Sequence, residues 1–243
     1  MTGVYCYSGA GHSQAVASFF AKNLHTAVCE IDFIRKSLAE TAVVVFPVYC
    51  QNIPVVVKAF LQANRAKYWV LIATYGKISH GNVLWEAAKL VKGCVIAAAY
   101  VPMGHTYLDA STDFDQKALT CIFQRIQNPH PVILNRCRKN PLADFLPGWR
   151  NRLGVKIIKN HHCTGCNLCG KRCPVGAVTA GRIYSNCIRC PVGAVTAGRI
   201  YSNCIRCLRC VYQCPENALR FRLHPILKWY LRKSKKHTVT VYL

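Results

Sequence analysis

The sequence predicts an α/β domain built on a parallel sheet, followed by a small cysteine-rich unit. Three observations carry this reading. Short β-rich apolar runs alternate with helical stretches over the first 150 residues, the signature of βαβ units. Of 16 cysteines, six are scattered before residue 150 and ten crowd between Cys163 and Cys214. Charge divides in the same way: residues 151–243 carry 17 Lys and Arg against the single acid Glu216, which is +16 of the formal +23.

The apolar runs TGVYCYS, TAVVVFPVY, YWVLIATY and CVIAAAYV read as strands. The helices between them are SQAVASFFAKNL, PVVVKAFLQANRA with Pro54 in its favoured first turn, and GNVLWEAAKLVKG closed by Gly93. A last helix, DFDQKALTCIFQRIQ, precedes a stretch rich in Pro, Asn and Arg that reads as a linker. The expected organisation is therefore 1–127 for the first domain, 128–152 for the linker, 153–223 for the second domain and 224–243 for a basic aromatic tail.

No apolar run approaches the ~20 residues a spanning helix needs. The N-terminus MTGVYCYSGAGHS lacks a basic region and a long apolar core, so a cytoplasmic location is expected. In a reducing compartment, 16 cysteines point to metal ligation rather than disulfides. The scattered six read as small buried hydrophobes. The net charge raises the class of nucleic-acid-binding redox sensors, but no recognition motif accompanies it, and nucleic acid is an unlikely partner on this reading.

Cys163, Cys166, Cys169 and Cys173 are spaced x2, x2, x3 and followed by Pro174; Cys204, Cys207, Cys210 and Cys214 repeat the pattern, followed by Pro215. This is the bacterial ferredoxin run, in which three cysteines hold one [4Fe-4S] cluster and the fourth ligates the other. Structural zinc favours paired Cys-x2-Cys knuckles or mixed histidine sets, so the pattern argues for iron-sulfur. His161 and His162 read as neighbours without a ligand role.

A 17-residue segment, CPVGAVTAGRIYSNCIR, occurs at 173–189 and again, letter for letter, at 190–206. It stretches the Cys173 to Cys204 interval to 31 positions, one repeat beyond the 14 that separate Cys173 from Cys187. Cys187 and Cys190 start no triplet, since Gly193 occupies the next ligand position and Pro191 follows Cys190 directly. The remote ligand of the second triplet is then Cys173 or Cys190. Cys173 is favoured, because it keeps the spacing from Cys169 and places the extra length in a turn.

The loop Ser8-Gly9-Ala10-Gly11-His12-Ser13 lies between the first strand and the first helix, where glycines and helix N–H groups suit a phosphate. It resembles the phosphate loop of flavodoxins, usually Ser/Thr-Gly-Thr-Gly-Asn-Thr, with Ala10 and His12 departing from it. FPVYCQNIPVVVKAFL and ATYGKISHGNVL follow in the corresponding order, so the resemblance covers residues 1 to about 125. It implies a doubly wound, five-stranded parallel sheet that binds FMN. Tyr49, Thr74, Tyr75, Gly76, Gly81 and Asn82 would stand near the flavin ring. Tyr49 and Tyr75 also fit as plain half-buried strand-end aromatics. No catalytic residue is assigned, and His12, His80 and His105 are given no chemistry.

Together the two parts resemble a bacterial and archaeal family in which a flavodoxin-like domain is fused to a small α+β ferredoxin domain with two [4Fe-4S] clusters. That resemblance extends to about Phe221. It implies an electron-transfer protein linking the clusters, FMN and a redox partner. The alternative is a flavin-dependent reductase of a small acceptor such as a quinone. The tail RFRLHPILKWYLRKSKKHTVTVYL suits an acidic partner or an anionic membrane surface, and equally a solvated basic face.

Overall fold

The computed structural model describes residues 1–31, 38–108, 111–149, 153–160, 162–178, 204–232 and 237–243. Cys187, Cys190 and the duplicated sequence between 179 and 203 lie outside the described residues. The chain divides into two compact units: Met1–Asp144 with the C-terminal strand, and Phe145–Arg232.

In the first unit β1 (Thr2–Cys6), β2 (Val28–Glu30), β3 (Thr41–Pro47), β4 (Arg65–Tyr75) and β5 (Lys92–Pro102) are parallel and ordered β2-β1-β3-β4-β5. The strands read as continuous Val, Ile and Ala runs because both faces are covered. Val4, Val43, Val70 and Ala97 stand in register on one face, buried with Val16, Ala17 and Phe20 of α1 (His12–Asn23) and Ile122 of α4 (Cys121–Gln127). The opposite face includes Tyr5, whose ring meets Phe60 of α2 (Val55–Ala63) at 5.7 Å. The short helix α3 (Val83–Ala88) packs on β4 and β5.

Three features depart from the expected elements. The sheet has six strands, not five: β8 (Thr240–Tyr242), within the expected tail, pairs antiparallel with β5 through Thr240 and Tyr100. Gly93 lies inside β5 rather than capping a helix; its φ of +140° and the proximity of the Ala66 carbonyl leave no room for a Cβ. The helix expected over 113–127 is a 3₁₀ turn, Lys117–Leu119, followed by α4, with Asp115 Oδ1 accepting the Ala118 N–H at 3.1 Å.

The expected linker is also divided. Residues 128–144 belong to the first unit, where the Val132 N–H donates to the Val95 carbonyl at 2.9 Å. Lys139 reaches Asn52 Oδ1 at 2.8 Å, Glu86 at 3.0 Å and Asp144 at 3.1 Å.

The second unit holds α5 (Leu146–Trp149), the antiparallel pair β6 (Val155–Lys159) and β7 (Leu219–Leu223), α6 (Leu168–Lys171), α7 (Arg209–Tyr212) and α8 (Pro225–Leu231). β6 leads into the first cysteine run and β7 leaves the second. The pairing of Lys159 with Leu219 therefore closes the two loops at one end.

Candidate functional sites

The strand order of the first unit reverses between β1 and β3, and ligands of such sheets bind beyond the strand carboxyl ends at that switch. The loops after β1, β3 and β4 meet there. The first carries Gly11 at φ +96°, a conformation open to glycine, and Ser8 Oγ accepts the Gly11 N–H at 3.1 Å. α1 starts directly after, with no side-chain cap and no acidic residue in its first turn. Its leading N–H groups and positive dipole end thus suit an anion. The hydroxyls of Ser13 and Thr74, both buried, lie 2.8 Å apart and tie this loop to the end of β4.

After β3, Tyr49 and Asn52 exchange backbone hydrogen bonds across Cys50 and Gln51, both left-handed at φ +51° and +62°. Tyr49 meets the buried Tyr7 ring edge-on at 6.4 Å. After β4, Gly76 lies so close to His105 that a Cβ there would overlap its ring, and Gly81 lies at φ +61° against Gln51. Asn82 is 2% exposed, and its Oδ1 has no hydrogen-bond partner among the described residues. That unsatisfied acceptor, the uncapped helix start and the close glycines fit a bound phosphate-bearing flavin.

Tyr75 is buried at the end of β4. Its hydroxyl lies 3.2 Å from His237 Nδ1, and burial pushes its pKa up to about 12. His80 meets Tyr75 edge-on at 5.1 Å and stacks on Tyr100 at 3.6 Å; burial lowers its pKa, against the opposing bond to the Gly81 carbonyl. His80 and His237 thus join the expected loop residues, as does Gln51, whose Oε1 accepts the Asn140 N–H at 2.8 Å. None of the three was assigned a role from sequence.

In the second unit the two cysteine runs are copies in backbone conformation, each position of the first recurring 41 residues later. Gly165 and Arg206 have φ +77° and +51°, Asn167 and Leu208 +58° and +59°, Gly176 and Asn217 +59° and +47°. Asn167 and Leu208 are the left-handed residues from which α6 and α7 start. The Ala177 N–H donates to Cys173 Sγ at 3.2 Å, and the Ala218 N–H to Cys214 Sγ at 3.3 Å.

Leucine and arginine enter the left-handed region only at a cost of roughly 1–3 kcal/mol. Their repetition of a Gly and Asn conformation means that the cysteine loop itself dictates the path. Backbone donors on sulfur are how a protein supports thiolate ligands and tunes a cluster. Burial raises the pKa of Cys210, with further contributions from the neighbouring Cys207, Cys204, Cys169 and Cys173. Among the described residues no three or more His, Cys, Asp or Glu side chains gather round a single-ion site. The donor set, soft thiols on paired loops with N–H groups on sulfur, fits a [4Fe-4S] cluster.

Residues 199–220 match the 4Fe-4S binding domain family, and this match contains Cys204, Cys207, Cys210 and Cys214. It supports iron-sulfur electron transfer at the second run. One solved structure similar to part of the chain is a putative flavoprotein from Bacteroides uniformis, 16% identical, covering 44% of this chain and 92% of its own, with a TM-score of 0.35. No curated protein matches. Among the described residues, no helix is long and apolar enough to cross a membrane.

Proposed function

We propose that this chain is an electron-transfer protein carrying two [4Fe-4S] clusters and one FMN. The observation that carries the reading is the repetition of one backbone path by both cysteine runs, the second of which matches a 4Fe-4S domain. One cluster takes Cys163, Cys166, Cys169 and Cys214, the other Cys204, Cys207, Cys210 and Cys173. Such clusters pass single electrons, whereas flavin holds one or two, so their combination links carriers of different stoichiometry.

The flavin assignment is supported by the strand order β2-β1-β3-β4-β5, which is that of flavodoxin-like sheets, and by the three loops at its switch point. The β1 loop, Ser8 to Ser13, would take the phosphate. Tyr49 and the Thr74 to Asn82 loop would take the ring, with Tyr75 held by His237 as a supporting residue. Anaerobic purification, followed by iron, sulfide and flavin counts per chain, tests the whole assignment. Steady-state turnover with a quinone would move the protein into the reductase class.

Cys173 as the remote ligand makes the second copy of the repeat dispensable. Deleting residues 190–206 joins Cys187-Ile188-Arg189 directly to Cys207, so that Cys187 takes the place of Cys204, and is expected to leave the iron count unchanged; Cys190→Ser in the full chain is expected to do likewise. Cys173→Ser should lose iron. Because the two copies are identical, the deletion protein is the same whichever copy is removed; full iron in Cys173→Ser with half the iron in Cys190→Ser would transfer the ligand role to the second copy.

The partner surface we propose is α8. Leu227 and Leu231 are buried, whereas Ile226 and Trp229 are about 60% exposed, with Lys228 and Arg232 on the same short helix and its continuation. An aromatic anchor ringed by cations suits an acidic carrier protein. Truncating the whole tail would also remove β8, so point changes are the cleaner test. Lys228→Glu with Trp229→Ala is expected to slow electron exchange with a small acidic carrier and flatten its salt dependence. Unchanged stopped-flow rates across salt concentrations would leave α8 a plain solvated face.

A further inference from the structure

The two cysteine loops share a path but not an environment. In the first, Thr164, Gly165 and Cys166 are exposed, and nothing lies within 4 Å of where a Gly165 Cβ would be. In the second, Cys204, Arg206, Leu208 and Arg209 are buried. Arg206 occupies the place of Gly165, is 3% exposed, and donates from Nη1 to Cys204 Sγ at 3.2 Å.

Three features of Arg206 are costly for folding alone. It adopts a left-handed φ of +51° where its counterpart is glycine. Its guanidinium, permanently charged, is withdrawn from water. Its partner sulfur is a weak acceptor while protonated and becomes a strong one only as a thiolate. All three costs are offset if the sulfur it contacts is an anionic ligand.

We infer that Arg206 sets the potential of the second cluster, raising it relative to what the buried loop alone would give. The inference rests on the two-cluster reading above. Burial removes water that would solvate the extra negative charge of the reduced state, which lowers a potential. A cation bonded to a ligand sulfur stabilises that charge, and low exposure leaves its field weakly screened. The first loop has neither effect at the matching position. The clusters are therefore inequivalent by construction, and the inequivalence can be edited at one residue.

The test is a redox titration of the full chain, purified anaerobically, with each cluster followed by electron paramagnetic resonance. Cys166→Ser and Cys207→Ser identify which signal belongs to which loop. Arg206→Gly restores the residue found at position 165 and suits the positive φ, and circular dichroism of the variant checks that the space left by the buried side chain is tolerated. Arg206→Gly is expected to lower the potential of the second cluster and leave the first in place, while Arg206→Lys keeps most of the wild-type value. An Arg206→Gly protein with two clusters at wild-type potentials overturns the inference while leaving the two-cluster reading intact. A wild-type chain whose anaerobic iron count is one cluster or none overturns that reading and the inference with it.

Discussion

Changing Cys207 to Ser is expected to remove about half of the iron and sulfide from anaerobically purified protein, since three adjacent thiolates hold most of one cluster. Cys166→Ser should do the same at the other loop. The losses are equal in count but unequal in consequence for stability. Cys207 lies in the loop that buries Cys204, Arg206, Leu208 and Arg209, so losing its cluster leaves a guanidinium beside a neutral thiol. The Cys166 loop is exposed, and its counterpart position is glycine. Limited proteolysis after each substitution is therefore expected to cut the Cys207→Ser protein faster within the second unit. A zinc-loaded, colourless wild-type protein from anaerobic cells would refute both expectations.

The proposed ligands are legible in the cysteine spacing because such a loop is a local object: the eleven residues from Cys163 to Cys173 follow a backbone path that recurs from Cys204 to Cys214. What the spacing concealed was everything decided by distant neighbours. Arg206 and Gly165 are equivalent in the pattern, and only the fold shows one buried and the other open. The main sheet was legible for a similar reason, since TAVVVFP and YWVLIATY are continuous apolar runs wherever they pair. β8 was not, because TVY is three residues long and earns its strand from Tyr100, 140 positions earlier. The stretch from Asn128 to Asp144 reads as linker by composition. Its order comes instead from Lys139 meeting Glu86 and Asn140 meeting Gln51, contacts that leave no periodic trace. The opposite failure occurs at Gly93, where a glycine near a helical stretch looks like a cap and is a strand residue pressed on the Ala66 carbonyl.

Replacing Gly81 with Val is expected to abolish FMN binding and to leave the iron count unchanged. The backbone at this position has φ +61°, which a β-branched residue adopts only at a cost of about 1–2 kcal/mol or more. Sterics add to this, because a Cβ would stand 2.8 Å from Gln51 Cβ and 3.1 Å from its carbonyl oxygen. Gln51 has little freedom to retreat. It occupies a left-handed turn closed by Tyr49 and Asn52, and its Oε1 holds the Asn140 N–H. On the other side the Gly81 carbonyl accepts from Tyr100 at 3.3 Å and pairs with His80 Nδ1 at 2.9 Å. Movement at Gly81 therefore displaces the β3 loop, the β4 loop and the unsatisfied Asn82 together. Overpacking and backbone strain sum to roughly 2–5 kcal/mol in the first unit. The proposed iron sites lie in the second unit, so the iron-sulfur absorbance would serve as an internal control. Gly81→Ala with Gln51→Gly separates strain from collision. The Gln51→Gly change suits the φ of +62° there and removes the Cβ that is struck, so FMN affinity should recover in part. Flavin fluorescence titration gives the answer, and a Gly81→Val protein that binds FMN as the wild type does would remove this loop from the flavin site.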